Sequence, residues 1–136
     1  DFVEQAAHGD HTPMEIMEMY SRFFYRLMKE HPYILRIFSW EMIHPTDVFA
    51  SIGKERFAMV LVVLRGALTE GIEEGCFRKD LKPTEVCISW AGMVAYYYLM
   101  NEIKKRFSVK EEITEDSYMH QAFDVLMNGI KNKEIG

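Results

Sequence analysis

Glu41 and His44 stand three residues apart in a segment that reads as a helix, so both fall on one face. This is the E-x-x-H spacing by which helical bundles hold paired iron or manganese ions. Such a centre takes two of these pairs and further glutamates from other helices, and the chain offers one pair. His8, Asp10 and His11 make a second candidate cluster, but they sit in a linker-like segment where two or three ligands do not enclose an ion. Cys76 and Cys87 follow no metal or redox spacing. The sequence contains no nucleophile elbow, phosphate-binding glycine loop or acid pair with a spacing that demands catalysis. The expectation is a binding protein rather than an enzyme, with no metal and no cofactor.

Glu41 is also the most informative polar residue for binding. Helical projection places it among Ile34, Ile37 and Phe38, away from the polar side at Arg36 and Ser39, and a carboxylate in apolar surroundings needs a partner. That partner is either an internal salt bridge or helix terminus, or a ligand for which Glu41 is the polar anchor. The ten methionines and 13% aromatic residues supply deformable and bulky apolar side chains, which suits a core containing an adaptable cavity. The expected lining is Tyr20, Phe24, Phe38, Glu41, Met42, Phe57, Leu61, Trp90, Met93 and Tyr97. Ordinary core packing competes with this role at each apolar position, because aromatic stripes at helical spacing are what cores are made of.

The elements that must position these residues follow from punctuation and period. Residues 1–11 read as a helix tail and a linker ending the first segment at Gly9 and Asp10; residues 12–136 read as one domain. Thr12, Pro13 and Glu15 form a capping box with proline at the first helical position, opening a helix to about Glu30. Its stripe of Glu15, Glu18, Arg22, Arg26 and Lys29 faces water, while Met17, Tyr20, Phe23, Phe24 and Leu27 point inward. Proline at 32 opens a second helix, Pro32 to His44, and Pro45 stops it. Thr46 to Ile52 reads as a connection, and a long helix is expected from about Gly53 to Glu74, with Gly75 as its C-cap. A helix from Pro83 to Phe107 closes with Lys104, Lys105 and Arg106, which complement its dipole. Val109 to Ile113 is a charged connection, and the last helix opens at Thr114. The class is all-α, about five main helices with short loops and no strand.

The Pro83 to Phe107 helix is apolar on every side. Val86, Trp90, Met93 and Tyr97 share one face; Ile88, Ala91, Gly92, Ala95 and Leu99 lie opposite. A helix of this kind must be covered from two directions, either wholly within one domain or by a partner subunit on the outer face, and the few helices left in the chain to wrap it favour the partner. Val86 to Met100 falls short of the roughly 18 to 20 apolar residues of a membrane span.

At 136 residues the chain makes one domain and needs no staples. Its net charge of −5 and scattered lysines and arginines lack the footprint of a nucleic-acid binder, and the cysteine usage, with no secretory segment, implies a reduced, cytoplasmic setting. A first residue of Asp rather than Met is consistent with a fragment or a processed chain.

Three segments taken together carry a resemblance. KEHPYILRIFSWE at Lys29 to Glu41, GIEEGCFRKDLKPTEV at Gly71 to Val86, and the two helices after them resemble the C-terminal half of TetR/AcrR-type transcriptional regulators. The order Gly75, Phe77, Arg78, Asp80 and Pro83 is the most specific part. Lys82 departs from the acidic residue often found before that proline. The resemblance implies a helical bundle that binds a small hydrophobic or amphipathic effector and forms a homodimer through its last two helices, as a four-helix bundle between subunits. On that basis the contact takes Ile88, Ala91, Gly92, Ala95 and Leu99 from one helix and Met119, Ala122, Phe123, Leu126 and Ile130 from the other. The family's N-terminal helix-turn-helix is absent from this chain, so DNA binding belongs to a missing N-terminal domain. Repression released by ligand is the family default. A di-metal carboxylate bundle and a ligand-free association module are the alternatives.

Overall fold

In the computed structural model, residues 2–107 and 113–133 are described, and six helices are found among them: α1 (Phe2–Ala7), α2 (Pro13–Glu30), α3 (Tyr33–Ile43), α4 (Asp47–Glu73), α5 (Pro83–Phe107) and α6 (Glu115–Ile130). The all-α class expected from the sequence is what the structure shows. Most of the charged connection at 109–113 lies outside the described residues.

The α2 start is built as its sequence dictates. The Thr12 hydroxyl accepts from the Glu15 N–H at 3.2 Å, and the Glu15 carboxylate accepts from the Thr12 N–H at 3.3 Å, so two donors that a helix start leaves unpaired are satisfied reciprocally. The α4 boundary is corrected. The helix begins at Asp47, six residues before the expected Gly53, with Thr46 as an extended N-cap and Asp47 complementing the dipole in the first turn. Gly53 lies inside the helix, where its loss of propensity is small beside the tertiary packing of so long an element. Gly75, at φ 85°, takes the left-handed turn that ends α4.

α4 packs against α2 on one side and α5 on the other; α5 packs against α6, and α1 lies across α2 and α4. The centre is formed by Met17 and Tyr20 of α2, Leu64 and Leu68 of α4, Trp90 and Val94 of α5, and Leu126 and Ile130 of α6. Each such side chain removed from water contributes about 1.5 to 3 kcal/mol. Phe2 is buried between Tyr20 and Phe23, at ring separations of 5.6 and 5.7 Å, and so fastens α1 to α2.

The turn between α4 and α5 is sewn to the end of the chain. The Arg78 N–H donates to the Ile130 carbonyl at 2.9 Å and the Asn132 N–H to the Cys76 carbonyl at 3.0 Å, making a single antiparallel bridge between Phe77 and Lys131. The Arg78 guanidinium donates to the Gly129 carbonyl and to Asp80, and the Asn132 side chain to the Gly75 carbonyl. The Phe77 ring, fully buried, lies flat against Gly71. At the opposite end, Phe57 of α4 and Phe107 of α5 stay 58% and 74% exposed, and α3 contributes no buried residue.

Candidate functional site

The ten residues expected to line a cavity fall into two groups. Tyr20, Trp90 and Tyr97 are buried, and Phe24, Leu61 and Met93 are half-buried against the core around the first two. Phe38, Met42 and Phe57 are not brought to them. The Phe38 and Phe57 rings stand 6.1 Å apart, Phe57 remains mostly exposed, and Met42 is 76% exposed on α3. A single enclosed cavity holding all ten is therefore not what the structure forms. The reason is α3. Bracketed by Pro32 and Pro45, it is short and has no buried residue; at its end Trp40 stacks on His44 at 4.4 Å, and Glu41 is bound to the residue that opens α4.

Both Glu41 carboxylate oxygens accept from Thr46, one from its N–H at 2.8 Å and the other from its hydroxyl. Of the two roles open to Glu41, the structure shows the helix-terminus bond: the carboxylate holds the N-cap of α4 and joins it to the end of α3. Glu41→Ala is expected to cost about 1 kcal/mol, in the range of a lost helix cap. Faster amide exchange confined to the first turn of α4, with the rest of the bundle unaltered, is the outcome to look for. His8 Nδ1 lies 2.8 Å from the Glu4 carbonyl, and His11 lies 3.2 Å from the Gln5 carbonyl and 3.4 Å from Glu15, so these histidines fold back on the helix ends beside them. Among the described residues no group of three or more His, Cys, Asp or Glu is placed to hold a metal ion.

Two polar groups lie inside the apolar core. The Trp90 indole Nε1 is buried with no hydrogen-bond partner. Tyr20 is also buried in the core, and burial, reinforced by Cys87 nearby, raises its pKa. Sequence reasoning missed a second polar set, built around the first turn of α6. Tyr25 of α2 donates to Asp116, and Tyr98 of α5 donates to Glu115 at 2.6 Å. Tyr118 of α6 donates back to the Met93 carbonyl of α5, also at 2.6 Å, and its ring lies 4.9 Å from that of Tyr97. The bond to Asp116 is the main reason the Tyr25 pKa is pushed up to about 12; for Tyr98, burial raises it first and Glu115 second. These tyrosines tie α2 and α5 to the start of α6. The signal available in sequence was the pair of acids after Thr114, but nothing local named their partners.

The outer face of α5 is open. Ile88, Tyr96, Leu99 and Ile103 are 41 to 66% exposed, Gly92 between them is exposed, and Ala91 and Ala95 flank the stripe half-buried. A Cβ built on Gly92 would meet nothing within 4 Å. Tyr96 and Ile103 extend the expected stripe at the same three- and four-residue spacing and were legible from it. On α6 the expected contact residues lie mostly inward in the single chain. Ala122, Leu126 and Ile130 are buried in the chain's own core, with Met119 and Phe123 half-buried against it. Val125, 53% exposed, stands instead beside the α5 residues Val86, Ser89 and Met93 along a shallow groove between the two helices.

An all-helical domain whose fifth helix buries one face and leaves a second apolar face bare has the build of a binding and association module. Residues 13–130 match the family described as tetracyclin repressor-like, C-terminal domain, and the chain belongs to that family of regulator domains. No curated protein and no solved structure matches the chain. Among the described residues no helix is long and apolar enough to cross a membrane.

Proposed function

We propose that this chain is the effector-sensing and dimerisation domain of a TetR-like, DNA-binding transcriptional regulator acting in the cytoplasm. A domain preceding residues 1–11 reads DNA, and a small, largely apolar effector binds among the helices and releases repression. The observation that carries this reading is α5. Trp90 and Val94 are sealed in the core, while Ile88, Gly92, Tyr96, Leu99 and Ile103 form an unbroken apolar stripe on the other side. Exposed apolar surface of this extent marks an interaction face, and a small residue at its centre lets a second helix approach closely. Two copies meeting on α5, with Val125 at the margin, give the four-helix arrangement the family resemblance implies.

Binding changes the DNA-reading parts only if the effector prefers one arrangement of the bundle over another. The reading is tested in two measurements. In sedimentation the chain should run as a dimer, and Leu99→Arg or Ile88→Glu, both at exposed positions that a monomer tolerates, should give monomers of unchanged helicity. In a thermal panel of hydrophobic and amphipathic compounds, at least one should raise the melting temperature. Dimers that survive both substitutions would remove α5 as the contact, and a melting temperature indifferent to every compound would reduce the domain to a ligand-free association module.

A further inference from the structure

We infer that the indole N–H of Trp90 is the polar anchor of the effector site, and that the effector carries a carbonyl or ether oxygen on an otherwise apolar body. This rests on the sensor reading above and adds the chemistry of the ligand to it.

Trp90 is 1% exposed, and its Nε1 has no acceptor. More than nine in ten buried polar groups in folded proteins are paired, so an orphan at the centre of a core calls for a partner. The indole nitrogen only donates, which excludes ammonium and guanidinium ligands and requires an acceptor. What surrounds it is apolar: Met17, Leu64, Leu68 and Val94 belong to the same buried cluster, and the Phe123 ring stands 6.1 Å away, edge to face. The body attached to that acceptor must be apolar too.

Tyr20, on the facing helix α2, is buried and lies near Cys87, one turn before Trp90 on α5, so its hydroxyl is a second donor within the same core. A carbonyl oxygen has two lone pairs and can take both donors. The core around the indole is rich in methionine, which favours accommodation of a guest. Met17 and Met127 are buried in it, with Met93 and Met119 packed against it, and thioether side chains change rotamer at low cost. Trp90 also occupies the face of α5 opposite Ile88, Gly92 and Leu99, so a guest at the indole displaces the helix that meets the partner.

The test uses two probes of one shape, acetophenone and α-methylstyrene, in which a carbonyl is replaced by a methylene. Each is titrated at equal concentrations into the protein and followed by melting temperature and by nitrogen–proton correlation spectra of the two indoles. Trp40→Phe identifies the Trp90 resonance, Trp40 being 61% exposed on α3. Acetophenone should bind about tenfold tighter than α-methylstyrene, the worth of one hydrogen bond, and shift the Trp90 indole proton downfield. Trp90→Phe should abolish that preference.

Equal stabilisation by both probes overturns the anchor while leaving the sensor reading intact. A Trp90 resonance unmoved by acetophenone, an absence of binding by either probe, or a preference that persists in Trp90→Phe also overturns the anchor. Should Trp90→Phe not fold, the indole resonance of the parent protein decides. The sensor reading itself falls only by the broader compound panel.

Discussion

Replacing Gly71 by alanine is expected to destabilise the domain by about 3 kcal/mol and to lower its melting temperature by roughly 10 °C, read by calorimetry or urea titration. A Cβ at that position would lie 2.2 Å from Cδ2 and 2.5 Å from Cε2 of Phe77, closer than any non-bonded carbon pair tolerates. The ring has nowhere to go. It is fully buried, and its backbone is held on one side by the Phe77 N–H bond to the Gly71 carbonyl at 3.0 Å and on the other by the bridge to Lys131. Gly71 is required here by the close approach of the ring, not by backbone angle, since it lies in a regular stretch of α4. Phe77→Leu in the same chain should recover part of the loss, because the smaller side chain vacates the space, and the non-additivity of the pair would measure the clash directly. An alanine variant melting within about 2 °C of the parent would mean that the ring swings aside freely.

Phe2→Ala should cost roughly 2 to 3 kcal/mol, somewhat below the 3 to 5 typical of an interior phenylalanine, because a six-residue terminal helix can detach without opening the rest of the core. Phe2 is 2% exposed, wedged edge-on to Tyr20 and stacked on Phe23. The expected signature in hydrogen exchange is loss of protection throughout α1 with α4 and α5 little changed. If α1 leads to a DNA-reading part, Phe2 is the point at which that part is keyed to the sensor, and the variant should weaken any response transmitted through it. Protection retained in α1 would show that the remaining contacts with α2 and α4 suffice.

Much of the architecture was legible because the chain punctuates its helices plainly. Thr12, Pro13 and Glu15 predict the α2 start to the residue, and Pro83 with the basic run at 104–106 predicts both ends of α5. The start of α4 is not legible locally, because a glycine after a proline-led connection is the ordinary sign of a boundary, while the true start depends on Glu41, a residue of the preceding helix that binds Thr46. Period has a different limit on α6. The stripe of Ala122, Leu126 and Ile130 was identified correctly as apolar, but periodicity says which face is buried and is silent about whether the cover is the chain's own or a partner's. The same limit explains the candidate lining. Phe57 aligns with Leu61, Leu64 and Leu68 on α4, yet only the latter three lie within reach of the core, because α3 does not close over the far end of that helix. The tyrosine and carboxylate pairs could not be read at all, since each joins helices far apart in sequence.

The stitching of the α4–α5 turn to the end of α6 also bears on how the domain comes to be made. Phe77 pairs with Lys131 and Arg78 with Ile130, so the last strut is supplied by residues translated more than fifty positions after the turn it secures. While the chain is still on the ribosome, α2 through α5 can gather, but the ring of Phe77 and the apolar flank meant for α6 stay uncovered until α6 itself has emerged. Contacts of such separation are the slow ones to form, and a nascent bundle with that flank bare is a natural client for chaperones.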